Sequence, residues 1–381
     1  MLTPRSTLAR RVVAALEATP SRIPVLVGGC GSGRTTLLQQ LRDRSGRGPV
    51  QSIDVERTAT TPERFLRAIA AASSFPISDA PAKGARAAFD ATLDFLNRAR
   101  TSGGTAVTFM LDEFLELRTF ESFPGLRRVL YDFIACISLS SNKFVLTSRY
   151  IARTLRVLRD HSARFEVIHM PGLTVADTLD IIGLSANAVD PHDAEQTARS
   201  VQALTDGRPA YVRVLAEELA SMREHGGGDP VSALASLMTT DGRLSKLCCF
   251  CYELRLHRAR GYGALKAILE ILGEDEGLTL TEISQRLQRT PGSTKDYLSW
   301  LEDVDLVSSR QKRYSFTDPL LRMWVRLHCR ATAPAEEELA REIHRYALPR
   351  LPQPEPALAM ATAGGGPADE DKKPWGIIEI D

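Results

Sequence analysis

No window of this 381-residue chain approaches the roughly 18 consecutive apolar residues that a membrane-spanning helix requires, and no long apolar stretch follows the N-terminal arginines. Export and membrane insertion are therefore not expected, and the composition reads as soluble, intracellular and cytoplasmic. Charge of one sign is also lacking. The 48 basic and 47 acidic residues give no global attraction to polyanions, so any nucleic-acid contact must be local. The six cysteines, Cys30, Cys136, Cys248, Cys249, Cys251 and Cys329, lack paired C-x-x-C spacing and nearby histidine pairs. Neither a zinc site nor a disulfide framework is indicated, and Cys248-Cys249-Phe250-Cys251 reads as a buried helical stretch. With 43% hydrophobic residues, the chain can build two or three domains with full cores.

What is present is a phosphate-cradling loop. Gly28-Gly29-Cys30-Gly31-Ser32-Gly33 follows the short apolar strand Ile23–Val27, and Arg34-Thr35-Thr36 opens an amphipathic helix. Four glycines in six positions let the backbone curl round an anion, so that N–H groups and the helix dipole converge on a β-phosphate. Gly28, Gly29, Gly31, Ser32, Gly33, Arg34, Thr35 and Thr36 are thus the candidate nucleotide contacts. Thr35 is placed to hold Mg²⁺ through its hydroxyl. Arg34 stands where such loops carry lysine. Its planar fork can bind phosphate, but not from the place a compact ammonium occupies, so binding is expected to survive better than hydrolysis.

The continuous apolar strand Ala106–Leu111 ends in Asp112-Glu113. In a parallel sheet the carboxyl ends of the strands face the ligand crevice, so adjacent carboxylates there can divide the work. Asp112 would hold the Mg²⁺ shell and Glu113 would polarise the attacking water. A further apolar strand, Lys143–Thr147, ends in Ser148-Arg149, and Arg149 is the candidate γ-phosphate sensor. Strands are also expected over Val50–Val55 and Phe165–Met170, with helices over Pro62–Ala72 and from about Ala85 to Arg100. The turn Thr205-Asp206-Gly207-Arg208-Pro209 precedes an amphipathic helix from Ala210 to Ala220.

The C-terminal half reads as a winged helix: an apolar helix over Leu265–Leu272, then Leu280–Leu287, a recognition helix from Pro291 to Leu301, and strands Val304–Val307 and Arg313–Phe316 paired as a wing. Ser293, Thr294 and Lys295 would stand at the exposed start of the recognition helix, and Arg310, Lys312 and Arg313 at the wing. From Arg260 to Arg330 there are eleven basic and ten acidic residues, with Asp296, Glu302, Asp303 and Asp305 in or beside the recognition helix. The segment therefore suits either DNA, contacted through the wing and Arg255, His257, Arg258 and Arg260, or a docked protein. Trp324 is expected in the core. After a helix from about Ala335 to Tyr346, a proline-, alanine- and glycine-rich run should be flexible. It leads to Trp375, Ile377, Ile378 and Ile380, apolar groups that would dock either on a protein partner or back on the chain.

The order of phosphate loop, Leu111-Asp112-Glu113, Leu146-Thr147-Ser148-Arg149, Asp206-Gly207-Arg208-Pro209 and winged helix resembles the archaeal-type ATPases, which lie between STAND signalling ATPases and the AAA+ origin-recognition initiators. The likeness covers about residues 1 to 330. It implies a P-loop NTPase core of α/β class with a parallel sheet over residues 1–172, a helical lid over 173–258, a winged helix over 259–330 and a tail over 331–381. It further implies ATP or ADP with Mg²⁺ as cofactors, and Pro209 against the nucleotide, coupling its state to the lid. Thr3-Pro4-Arg5 is the nearest match to the family's adenine-side motif. The expected activity is a nucleotide-dependent switch with slow ATP hydrolysis. The alternatives are a non-hydrolysing adaptor or transcriptional regulator, and a nucleotide-dependent homo-oligomeric motor with an arginine finger drawn from Arg127, Arg128, Arg153 or Arg156.

Overall fold

The computed structural model describes residues 5–45, 48–76, 83–161, 163–185, 191–257, 261–330 and 332–352. Trp375, Ile377, Ile378, Ile380, Arg258 and Arg260, to which the sequence assigns roles, lie outside them. The described residues up to Leu351 belong to one compact unit.

Five short segments form a parallel sheet: β1 Ile23–Val27, β2 Val50–Asp54, β3 Thr108–Asp112, β4 Lys143–Ser148 and β5 Phe165–His169, in the order β2-β3-β4-β1-β5. All five residues of β1 are buried, as befits a strand covered on both faces. Side chains alternate across the pleat. Leu26, Met110, Val145 and Ile168 meet Ala9 and Val12 of the helix Ser6–Glu17 and Leu37, Leu38 and Leu41 of the helix Arg34–Arg44. Val25, Phe109, Leu111, Phe144 and Leu146 face the other way. There Phe109 stacks on Phe144 at 5.6 Å and Phe65 meets Phe120 edge-on at 5.6 Å. Burying each such ring stabilises the sheet by roughly 1.5–3 kcal/mol.

Register aligns the strand ends that matter. Val27 lies opposite Ser148, and Asp54 opposite Asp112, so the phosphate loop after β1 and the carboxylates after β3 open on one edge, with β4 between them. The expected helix Pro62–Ala72 has those bounds; Thr61 caps it by accepting from Arg64 N–H, and proline takes its first position.

Beyond the sheet, the helices Val175–Ser185, Pro191–Thr205, Pro209–Glu224, Pro230–Leu237 and Arg243–Leu256 form the lid. The cysteine-rich run lies in the last of these, with Cys248 and Cys251 buried. Cys249 is exposed and Phe250 is 62% exposed, however, because a helix can turn only one stripe to the core. The expectation of a wholly buried stretch is corrected there.

The winged helix comprises helices Tyr262–Glu274, Leu280–Leu287 and Pro291–Asp303 and strands β6 Leu278–Thr279, β7 Val307–Arg310 and β8 Arg313–Phe316, in the order β6-β8-β7. A capping box between Thr279 and Glu282 starts the second helix. The first wing strand begins at Val307, not Val304, since Asp305 takes a left-handed turn (φ 53°) between helix and strand. Trp324 is buried, as expected, and its indole N–H donates to Ser245 Oγ at 3.0 Å.

Candidate nucleotide site

The loop leaves β1 with Gly28 N–H donating to Ser148 O at 3.3 Å, then passes through left-handed Gly31 and Gly33 (φ 75° and 85°) into the helix Arg34–Arg44. The first-turn N–H groups of that helix have no intrahelical partner and face the mouth of the loop, an anion-binding arrangement. Thr35, exposed there, donates its hydroxyl to Asp112 Oδ2 at 2.8 Å, and Thr147 donates to Asp112 Oδ1. Burial pushes the Asp112 carboxyl up, against the hydrogen bonds from Thr147 and Thr35 that favour its charged form. A hydroxyl and a partly desolvated carboxylate side by side are a hard-oxygen pair that fits Mg²⁺, whose charge would offset the desolvation. Among the described residues, no cluster of three histidine, cysteine, aspartate or glutamate side chains could hold a metal.

Arg34 turns away from the mouth. One end of its fork donates to Gly29 O at 2.7 Å and Ser32 Oγ at 3.2 Å, the other to Glu113 Oε1 at 2.6 Å. Arg34 is 7% exposed and Glu113 5%. Glu113 itself is held in a left-handed conformation (φ 57°), its N–H donating to Thr147 Oγ1 at 2.9 Å while Oε2 accepts from Arg149 N–H at 3.0 Å. Burial would raise the Glu113 carboxyl, but the Arg34 and Arg149 guanidinium groups and these hydrogen bonds outweigh it and hold the group below the ordinary range. The cation expected to reach phosphate and the carboxylate expected to polarise water thus neutralise each other. A lysine could not span carbonyl, hydroxyl and carboxylate at once.

Arg149, read as the γ-phosphate sensor, is also buried. Its Nε lies 3.2 Å from Glu113 Oε2 and its Nη2 pairs with Glu56. Glu56, which the sequence did not flag, follows β2, whose end adjoins that of β3.

The lid sits directly on the loop. Ala210 N–H donates to Gly31 O at 3.1 Å, and a Cβ on Gly31 would lie 2.7 Å from Ala210 Cβ, so only glycine allows the approach. Arg208 reaches Cys30 O at 3.4 Å and pairs with Asp318 at 2.7 Å; Tyr211 donates to the same carboxylate at 2.9 Å. Pro209, Ala210 and Arg213 close a cavity of about 220 Å³ against Gly31, Ser32, Gly33, Arg34, Thr35 and Thr36. Arg5 borders an adjoining crevice with Gly33, Thr36, Leu173 and Pro209, its two terminal nitrogens buried without hydrogen-bond partners. Gly28 and Gly29 form the base of the loop, away from the cavity lining.

Arg255 is corrected. It was assigned to DNA but is 3% exposed, stands beside Gly29 (3.2 Å from the position of a Cβ there) and donates to Asp305 O at 3.1 Å. His257 remains exposed. Thr294 is corrected as well: it is fully buried, its hydroxyl donating to Thr290 O at 3.0 Å, because the fourth position of a helix capped at Thr290 turns inward. Ser293 is half-buried, while Lys295, Arg310, Lys312 and Arg313 are exposed, Arg313 donating to Gly277 O at 2.6 Å. The acidic end of the helix Pro291–Asp303 faces the parallel-sheet domain. Asp303 pairs with Arg156, and with Arg153 at 3.8 Å, while Asp305 accepts from Ile151 N–H and from Ala152 N–H at 3.2 Å. Arg127 and Arg128 are exposed.

Fold and loop together define the class: a P-loop ATPase fold with a helical lid and a C-terminal winged helix. Residues 264–307 match the family described as winged helix-turn-helix DNA-binding. Among solved structures the chain is similar to a Walker-type ATPase of Pyrococcus abyssi, at 17% identity and a TM-score of 0.62, covering 86% of this chain and 96% of that one. It also matches the Orc1 protein of Aeropyrum pernix in complex with DNA (18% identity, TM-score 0.46, 91% and 93% covered). A third match is Cdc6p of Pyrobaculum aerophilum (14%, 0.42, 92% and 96%). At these identities the likeness is one of fold. No curated protein matches the chain by sequence. No helix among the described residues is long and apolar enough to cross a membrane.

Proposed function

We propose that the chain is a nucleotide-dependent switch that binds ATP or ADP with Mg²⁺ at the phosphate loop, hydrolyses ATP slowly, and relays the state of the site to the winged helix. The observation that carries this reading is the 2.8 Å contact of Thr35 Oγ1 with Asp112 Oδ2 at the mouth of a glycine loop, under a lid bonded to that loop. When bound, Mg²⁺ supplies charge neutralisation at the phosphates. The chain's own residues do the rest. Thr35 and Asp112 position, loop N–H groups orient, and Pro209 and Ala210 exclude water. The cavity of about 220 Å³ is smaller than a site for a whole small-molecule ligand, so the lid must part to admit a nucleotide. That motion would reach the winged helix through Arg255, which joins the vicinity of Gly29 to Asp305. Slow turnover follows from the Arg34–Glu113 pair, which must open before Glu113 can accept a proton from water. The exposed wing cations suit DNA phosphates, and the matched winged-helix family favours that partner over a docked protein.

The same buried pair favours a second reading, a nucleotide-binding adaptor that does not hydrolyse. ATP binding and single-turnover hydrolysis of the wild type, Arg34→Lys and Glu113→Gln with Mg²⁺ separate the two. The switch requires slow hydrolysis in the wild type that Glu113→Gln abolishes and Arg34→Lys speeds by about tenfold or more. Binding without turnover identifies the adaptor, and absence of binding overturns both.

A further inference from the structure

A cleft of about 200 Å³ lies between the helix Pro319–His328 and the helix Glu336–Ala347. None of its lining residues belongs to the nucleotide cavity. Arg322, Arg326, Arg345 and Arg350 line it with two carboxylates, Glu276 and Glu342, which leaves an excess of two positive charges. The pairing is uneven. Arg322 meets Glu276 at 3.2 Å and commits its other donors to the carbonyls of Leu272, Gly273 and Glu274. Arg326 and Arg345 share a single oxygen, Glu342 Oε1, at 3.1 and 3.8 Å. Arg350 forms no ion pair among the described residues; it donates to Tyr346 O at 3.1 Å, and its guanidinium lies 4.1 Å from the centre of the Tyr346 ring. Nε of Arg326 is buried with no hydrogen-bond partner, which is unfavourable for a cationic donor until an acceptor joins it. Burial lowers the Arg322 guanidinium from its ordinary value, and the neighbouring Arg326, Arg345 and Arg350 act in the same direction, against Glu276.

We propose that this cleft is a second anion site, which takes a phosphoryl dianion as inorganic phosphate or as a small phosphate monoester. Charge and geometry select that class. Two uncompensated guanidinium charges match a dianion, and the planar forks of arginine bind phosphate oxygens through paired N–H donors. A carboxylate would leave one charge over. The volume lies below the roughly 300–1,000 Å³ typical of small-molecule pockets, so the organic part is short or missing. Arg326 stands on the winged helix's last helix, whereas Arg345 belongs to the helix Glu336–Ala347, whose Tyr346 hydroxyl donates to Leu204 O of the lid at 2.8 Å. A dianion held by both would join winged helix and lid, and it would do so independently of the nucleotide reading.

Full-length protein is titrated calorimetrically with inorganic phosphate and with glycerol 3-phosphate, in chloride at constant ionic strength and with ADP and Mg²⁺ present to fill the phosphate loop. Location is read separately. Arginines are modified with phenylglyoxal with and without each anion, and the products are mapped by mass spectrometry. Saturable binding is expected, with Arg345 and Arg350 protected by the anion and affinity reduced by about tenfold or more in Arg350→Gln. Arg345 is exposed, so Arg345→Gln keeps the fold and should weaken binding in the same direction. Tighter binding of glycerol 3-phosphate assigns the monoester as ligand, and tighter binding of phosphate assigns the free ion. The proposal is overturned if neither anion binds, if both arginine variants bind as the wild type does, or if Arg345 and Arg350 react equally at saturating anion. Phosphate binding that occurs only without ADP, leaving these arginines unprotected, belongs to the phosphate loop and overturns the second site while supporting the first.

Discussion

The phosphate loop and the wing both present arginine beside a tight backbone turn, yet they use the charge in opposite ways. Around the loop, Arg34, Arg149, Arg208 and Arg255 are all shielded from solvent to a large degree and bonded to carboxylates or carbonyls. At the wing, Arg310 and Lys312 are exposed and form no ion pair among the described residues. A buried cation is defined by its partner, because leaving either member alone strands a desolvated charge. An exposed cation contributes a screened, nearly additive attraction to whatever anion approaches. Changes at the loop should therefore couple stability to chemistry, and changes at the wing should alter association alone.

The largest effect should come from Arg34→Ala. Stranding Glu113 with Arg149 as its remaining strong partner should cost about 3 kcal/mol in urea denaturation, and Arg34→Ala with Glu113→Gln should recover most of it. Additive losses in that cycle would break the comparison at its buried end.

Next is Asp305, which joins the two regions. Burial raises its carboxyl to about 6 from 3.8, opposed by the N–H groups of Ala152 and Ile151. With the folded value above the unfolded one, its contribution to stability is fully present below about 3.8 and is lost as pH rises through about 6. That loss is on the order of 3 kcal/mol. Asp305→Asn, a residue that tolerates the left-handed conformation, should flatten this part of the stability-versus-pH profile in thermal melts. An unchanged slope would detach Asp305 from the contact between core and winged helix.

At the wing, Arg310→Ala and Lys312→Ala should each weaken duplex DNA binding by roughly two- to fivefold regardless of sequence. Each should also lower the salt slope of the affinity by about one in fluorescence anisotropy. Unchanged binding in both would assign the winged helix to a protein partner. The smallest effect concerns the wing's turn, where Gln311 and Lys312 both take positive φ (51° and 63°). Gln311→Gly should raise stability by about 0.5–1 kcal/mol by relieving that strain, leaving the DNA salt slope unaltered.

Much of this was legible in sequence because it is local. The glycine loop after an apolar strand, the carboxylates ending β3, the proline-started helix Pro62–Ala72 and the helix Leu280–Leu287 each announce themselves within a dozen residues. Strand β6, of two residues, is too short to carry a pattern, and the wing's first strand was displaced by the left-handed turn at Asp305. Thr294 and Arg255 were assigned to DNA from residue type and position, while their burial depends on what packs above them.

The sequence by itself determined the phosphate loop, the adjoining carboxylates and the winged-helix pattern, because turn chemistry and hydrophobic periodicity act over short stretches and need no distant partner. Only the tertiary structure decided what the charged groups are for. It turned Arg34 inward onto Glu113, 79 residues away, rather than outward to phosphate. It also turned Asp303 and Asp305 onto the core. The physical reason is that a long, forked side chain offers many directions of bonding, and the choice among them is set by which carboxylate or carbonyl the packed elements place within reach and away from water.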